Sequence, residues 1–316
     1  MQENFNKAKQ LIDSSDNILL TMHERMDGDD GGALLAIGAH LRKNGKKTFY
    51  AIKKGVPPSL AFLPDSHLVQ DDIDGGNFNL LITFGCSTLH RTGSEKIQNL
   101  RTKIINIDHH PDNQMFGDIN LVDPAKSSVA ELVYDFFLHN GWPINKHIAE
   151  CLLTGIITDT GCFIHSNTQK STLEAAGNLM KKGALAEKII GQTFKAKNLN
   201  TLKAWGRALA NLNYDPKTKI IYSFITDNDL NELGQLPKSA FEGLAETLNT
   251  YPEAKFAMFL RQDGEVIKGS LRTEPFKKTD VSGIAKLFGG GGHKMAAGFS
   301  VSGKLVRDEA GKWTVV

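Results

Sequence analysis

Asp108, His109 and His110 follow a β-branched run, Lys103-Ile104-Ile105-Asn106-Ile107, and precede Pro111. The run predicts a short buried strand, and the proline stops regular structure after it. A carboxylate and two imidazoles at a strand end suit metal ligation, because oxygen and imidazole donors together fit Mn²⁺, Mg²⁺ or Zn²⁺. The same three residues also fit a capping Asp beside two hydrogen-bonded histidines. A second cluster lies upstream: His23, then Asp27-Gly28-Asp29 with Asp30 next. Glycine permits a tight turn that aims Asp27 and Asp29 at one point. An acidic helix N-terminus gives the same pattern, since capping and the helix dipole favour Asp there. Asp159 sits in an apolar segment, 155–161. A buried carboxylate is costly without a cation or local amides to satisfy it.

Three further places suit binding. Ser128, in Ser127-Ser128-Val129-Ala130-Glu131, opens a predicted helix whose first amides could hold an anion, or is simply its N-cap. Residues 289–292 are four glycines followed by His293 and Lys294. Gly290, Gly291 and Gly292 let backbone amides approach an anion without Cβ interference. Arg272, at the end of a predicted strand, is a candidate phosphate clamp. Cys86, with Ser87 and Thr88, follows another strand. Nothing nearby in sequence activates its thiol, which reads as a packed side chain rather than a nucleophile.

The elements that would carry these residues alternate. Strands are predicted at 17–22, 48–52, 79–84 and 103–107, and helices at 4–14, 33–43, 129–140, 144–154, 171–182 and 184–194. This pattern gives an α/β fold with a doubly wound, mainly parallel sheet, in which ligands bind at the carboxyl ends of the strands. After a helix at 198–212 the pattern changes. Strands at 218–225, 254–262 and 266–272 with a helical stretch at 227–249 predict a smaller C-terminal α/β domain with a mixed sheet. The expected division is 1–190, a helical linker at 191–213, and 214–316.

Composition limits the partners. At 316 residues, 41% hydrophobic and 23% charged, the chain is long enough for two cores. A net charge of +2 supplies no broad basic surface, so long nucleic acids are not expected as partners. The three scattered cysteines suit a reducing cytoplasm. Neither a signal-like apolar segment near residue 1 nor a membrane-length apolar run is present, and a cytoplasmic location is expected.

Taken in order, His23…Asp27-Gly28-Asp29, Asp108-His109-His110, Thr158-Asp159-Thr160-Gly161 and the 289–293 stretch with Ala296-Ala297-Gly298-Phe299 form a set. The set resembles the DHH/DHHA1 phosphoesterase family, close to its oligoribonuclease (nanoRNase)/pAp-phosphatase branch and related to the RecJ exonuclease core. The resemblance covers nearly the whole chain. It implies two Mn²⁺ ions, with Mg²⁺ or Co²⁺ as substitutes, that activate a water for in-line attack and stabilise the leaving oxygen. His23, Asp27 and Asp159 would hold one ion, and Asp29 and His109 the other. His110 would contact the scissile phosphate, and Asp108 would orient a ligating imidazole. Arg272 and residues 289–293 would grip the nucleotide. The implied substrates are very short oligonucleotides, linear dinucleotides and nucleoside 3′,5′-bisphosphates.

One position departs from that pattern. The family places a metal-bridging Asp at the end of the third predicted strand, where this chain has Gly85. Without a bridge, two cations repel strongly in a dry site. The expected consequence is a lost or weakly bound metal and a slower reaction, whether the Gly is natural or an engineered replacement of Asp. Asp30 lies nearby in sequence and could compensate. A homologue that binds nucleotides without turnover is the alternative reading. A pyrophosphatase is a third, for which a different C-terminal domain would be expected.

Overall fold

The computed structural model describes residues 1–195, 198–234, 236, 238–241, 243–307 and 313–316. The chain divides into two compact units, Met1–Ala196 and Lys197–Val316. Residues 196 and 197, inside the predicted connection, lie outside the described residues.

The first unit runs α1 (Gln2–Asp13), β1 (Asn17–Met22), α2 (Gly28–Lys43), β2 (Lys47–Ala51), β3 (Val69–Gln70), β4 (Leu80–Phe84), α3 (Glu95–Gln98), β5 (Lys103–Asp108), β6 (Ile119–Val122), α4 (Val129–His139), α5 (Lys146–Asp159), α6 (Lys170–Lys181) and α7 (Ala186–Ile190). Its sheet order is β3-β2-β1-β4-β5-β6, and every pairing is parallel. This is the doubly wound order predicted from the alternating elements. The order reverses between β1 and β4, so the crevice beyond their carboxyl ends is the topological switch point. The central strands are continuous apolar runs such as Leu80-Leu81-Ile82, because helices cover both faces of a parallel sheet.

Helix α2 begins five residues earlier than its apolar run suggests, at Gly28, so Asp29 and Asp30 lie in its first turn. Helix α5 also extends past its predicted end and carries Asp159 as its last residue. Gly155 hides this continuity in the sequence, since glycine normally weakens a helix. Here a Cβ at Gly155 would stand 2.4 Å from the Ala130 Cβ, so glycine is the residue that lets α5 pack against α4.

His40, on α2, is buried and stacks on Trp142, with ring centroids 3.9 Å apart. Burial holds its imidazole down at about 4, against an ordinary value of 6.5. Between those values the unfolded chain takes up a proton that the folded chain refuses. The stability from this group is therefore full above pH 6.5 and is lost as pH falls toward 4. Urea unfolding at pH 7 and pH 4.5 should show His40→Phe losing less stability on acidification than the parent chain. Equal losses would show that His40 does not drive this dependence.

The second unit runs α8 (Leu199–Ala210), β7 (Asn213–Asp215), β8 (Ile220–Ile225), α9 (Asp227–Leu233), α10 (Leu244–Asn249), β9 (Phe256–Asp263), β10 (Val266–Arg272), α11 (Val281–Leu287), β11 (Gly291–Gly292), β12 (Ala296–Ser302), β13 (Leu305–Arg307) and β14 (Trp313–Val315). Its larger sheet is mixed, in the order β11-β12-β10-β9-β8-β7, with β8 and β9 parallel and the other neighbours antiparallel. The helical stretch expected over 227–249 is broken into α9 and α10. α9 ends at Gly234, whose φ of 81° stops the helix. Among the described residues no helix is long and apolar enough to cross a membrane.

Candidate functional site

Strands β1, β4 and β5 lie side by side and end together, with Met22 paired to Phe84 and Phe84 to Ile107. The residues that follow them, His23, Gly85 and the Asp108-His109-His110 run, therefore share one edge of the sheet. Asp27 N-caps α2, as the capping reading of this cluster expects. Its Oδ1 accepts from the Asp30 amide at 2.9 Å, while its Oδ2 lies 3.0 Å from His23 Nε2. Asp30 Oδ2 stands 3.0 Å from the same nitrogen. His23, Asp27 and Asp30 thus form one group able to hold a metal ion.

Asp29, one residue before Asp30, turns to the opposite side. Its carboxylate accepts from the Val129 and Ala130 amides at 2.7 and 2.8 Å, at the N-terminus of α4. The anion that these helix amides hold is thus the protein's own. Ser128 is buried, and its hydroxyl accepts from the Glu131 amide. It serves as the N-cap of α4, and the substrate contact expected of it has no opening, because Asp29 takes the amides beyond it.

His109 Nε2 lies 3.9 Å from Asp29 Oδ2 and 3.9 Å from Asp159 Oδ2. These gaps are too long for hydrogen bonds, yet one ion about 2.1 Å from each donor would span them. Asp29, His109 and Asp159 form the second group able to hold a metal ion. Asp159, expected beside His23 and Asp27, is grouped with Asp29 and His109 instead. The end of α5 delivers it there, and Asn167 donates to its Oδ2 at 3.1 Å. Asn167 carries no sequence signal that distinguishes it from an ordinary loop residue. Asp30, which the sequence suggests could compensate for Gly85, stands beside His23.

The electrostatics fit a cation. Burial pushes the Asp29 carboxyl well above the carboxylate range, with Asp159 and Asp30 adding repulsion. Burial and then Asp27 push Asp30 up as well. Burial carries Asp159 up to about 6, although His109 pulls the other way. Burial works against a charged His23, but its bonds to Asp27 and Asp30 outweigh it and raise the group to about 10. Facing carboxylates withdrawn from water require positive charge nearby. Nitrogen and oxygen donors without thiolates suit Mn²⁺ or Mg²⁺.

Asp108 is buried, and its oxygens accept from the His109 and His110 amides, from Asn113 and from His110 Nδ1 at 2.6 Å. The imidazole it orients is therefore that of His110. His109 is oriented from elsewhere, its Nδ1 lying 3.2 Å from the Lys126 carbonyl. The hydrogen bond from Asp108 raises His110 above its ordinary value, against burial. Cys86 is buried, and burial with the Asp30 and Asp108 charges pushes its thiol up, which keeps it protonated and unreactive.

Gly85 adopts φ 57°, and a Cβ built on it would lie 1.7 Å from Asp30 Oδ2. The place beside Gly85 is therefore filled by the Asp30 carboxylate.

In the second unit, Arg272 closes β10 with its Nε donating to Glu246 Oε1 at 2.6 Å. Two of the four glycines are explained by packing. A Cβ at Gly290 would stand 2.2 Å from the Gly298 carbonyl, and one at Gly292 2.6 Å from the Ala297 Cα. The run lies flush on β12, with Gly291, Gly292 and His293 exposed and the His293 amide donating to the Ala296 carbonyl at 2.8 Å.

Residues 17–156 match the DHH family, N-terminal domain, and residues 217–312 match the DHHA1 domain. A Bacillus subtilis protein, the bifunctional oligoribonuclease and PAP phosphatase NrnA, is 30% identical over 295 residues, 90% of either chain. An exopolyphosphatase-related protein from Bacteroides fragilis superposes with a TM-score of 0.88 at 25% identity, over 95% of this chain and 91% of that one. The exonuclease RecJ, in a structure bound to manganese, shares the fold at a TM-score of 0.51 and 15% identity, covering 98% of this chain and 90% of its own. Matches to a DHH and a DHHA1 domain in order, and a relative similar over 90% of either chain, place this chain in the DHH/DHHA1 family of phosphoesterases.

Proposed function

We propose that this chain is a divalent-metal-dependent phosphodiesterase that hydrolyses very short oligonucleotides or linear dinucleotides to mononucleotides. It would also remove the 3′-phosphate of nucleoside 3′,5′-bisphosphates. The observation that carries this reading is the pair of ligand groups, His23/Asp27/Asp30 and Asp29/His109/Asp159, beside a His110 held by a buried carboxylate. Mn²⁺ is the ion proposed, with Mg²⁺ or Co²⁺ as substitutes. When bound, such ions supply Lewis-acid charge at phosphoryl oxygens. The residues of the chain do the rest. Asp108 fixes the tautomer and direction of His110, which donates a hydrogen bond to a phosphoryl oxygen as charge develops there. Asn167 and the amides of α4 fix Asp159 and Asp29 before any ligand arrives, which limits reorganisation during the reaction. In the second unit, Arg272 and the exposed surface of 291–293 are proposed as nucleotide contacts.

The slow or inactive enzyme expected from Gly85 presupposed a gap in the ligand set. The Asp30 carboxylate occupies the space beside Gly85 within the His23–Asp27 group, which supports turnover as the result to test for. Incubation of the purified chain with Mn²⁺ and pApA, pGpG or pAp should release mononucleotides or phosphate, and chelation should stop it until Mn²⁺ is returned. Failure on all three with Mn²⁺, Mg²⁺ and Co²⁺ would sink the enzyme reading. Calorimetric binding of the same nucleotides without turnover would establish the nucleotide-binding alternative instead.

A further inference from the structure

We propose that Asp30 and Gly85 act as one coupled unit: Asp30 supplies the buried carboxylate of the His23–Asp27 ligand group, and it can reach that place only because residue 85 has no side chain. The inference rests on the metal centre proposed above and goes beyond it by making a glycine a determinant of metal affinity.

The geometry leaves little room for another arrangement. Asp30 is 2% exposed, and its Oδ2 is 3.0 Å from His23 Nε2. All three atoms of that carboxylate lie 1.7–2.2 Å from where a Cβ of residue 85 would be. Real Cβ atoms do not approach other heavy atoms so closely, so any side chain at 85 must displace the Asp30 carboxylate. Asp30 is not free to yield by moving as a whole. It sits in the first turn of α2, and its amide is fixed by Asp27 Oδ1 at 2.9 Å. Any displacement therefore comes from the side chain and carries the carboxylate away from His23. The backbone at 85 favours glycine independently, since φ is 57°. The amide of Gly85 donates to the Ile107 carbonyl at 3.0 Å, which ties that conformation to the β4–β5 pairing. The N-terminal end of α2 also provides positive potential for a carboxylate that the strand end lacks. The acid of this group thus comes from a helix start, and the strand end contributes space.

An unusual consequence follows. Gly85→Asp adds a carboxylate at the metal centre but should weaken metal binding, because it evicts Asp30. Gly85→Ala, which changes no charge, should weaken it too. The test is calorimetric titration of the metal-free protein with Mn²⁺, alongside circular dichroism and thermal unfolding to confirm folding. Asp30→Asn and Gly85→Ala are each expected to lower the affinity of one Mn²⁺ about 10- to 100-fold, the range seen when a ligand's support is removed. Their combination should lose little more than either alone, because both remove the same carboxylate. Gly85→Asp combined with Asp30→Ala should bind better than Asp30→Ala, since the new acid then has room.

Asp30→Asn adds no bulk, so it keeps the proposal testable if the residue-85 variants fail to fold. Parental affinity in Asp30→Asn, or in a folded Gly85→Ala, would overturn the coupling while leaving the metal centre standing. Absence of Mn²⁺ binding by the unaltered chain would instead overturn the reading on which the coupling rests.

Discussion

His110→Ala is expected to lower kcat on short oligonucleotides by about 10²–10³-fold, the usual cost of removing one hydrogen-bond donor to developing oxyanion charge. Mn²⁺ affinity should be unchanged. The separation of these two effects follows from the site. His110 belongs to neither ligand group, and its Nδ1 is committed to Asp108 at 2.6 Å. Deleting the ring would therefore remove the proposed contact to substrate and no donor of either candidate group. Asp108 also accepts from the His109 and His110 amides, so the backbone path that places His109 survives the truncation. Steady-state kinetics with saturating Mn²⁺, together with calorimetric Mn²⁺ titration, measure the two quantities. A drop in metal affinity as large as the drop in kcat would identify His110 as a ligand and refute its proposed contact with the phosphoryl group.

Glu131→Ala is expected to be the most destabilising of the substitutions considered. Glu131 is 1% exposed, in the first turn of α4. Its carboxylate accepts from the Ser127 amide, the hydroxyls of Ser127, Ser171 and Thr172, and Lys126 Nζ. Burial alone would raise this carboxyl, but the hydroxyl and amide donors hold it below the usual range. Truncation strands the buried Ser127 amide and the buried hydroxyls of Ser127 and Thr172. Losing one side of a buried ion pair costs about 3–5 kcal/mol. Lys126 keeps Asp135 at 2.6 Å, so the lower end, about 3 kcal/mol, is expected. That corresponds to a Tm lower by about 10 °C for a unit of this size.

The same residue pins the loop whose Lys126 carbonyl faces His109 Nδ1, so activity should fall along with stability. Glu131→Gln retains acceptors and should lose less. Urea unfolding with an unchanged m-value would measure the difference, and a loss below about 1 kcal/mol would show that Glu131 does not anchor this region.

Much of this molecule is local information, and the sequence carried it. Short apolar runs gave β1 and β4, and a β-branched run gave β5. The alternation of strand and helix gave the doubly wound sheet, and acidic and imidazole residues at strand ends marked where its chemistry would lie. These follow from short-range sterics and from the cost of burying polar groups. Boundaries were blurred wherever tertiary packing overrides propensity. Gly155 breaks a helix in the abstract but is required where α5 meets α4, so Asp159 reads along the chain as an acid in an apolar segment beyond a helix and is in fact that helix's last residue.

What only the tertiary structure decided was which donors face one another. Asp29 and Asp30 are adjacent in the chain, yet the first turn of α2 sends them to different groups, one to the α4 amides and His109, the other to His23. Asp159 joins His109 from the end of α5, and Asn167 reaches it from a later loop. Gly85 reads as a missing ligand along the chain and as vacated space in three dimensions. The physical reason is common to all of them. Ligation and repulsion act over a few ångströms through space, and the distances that matter here are set by how helices rest on the sheet, which residue spacing does not encode.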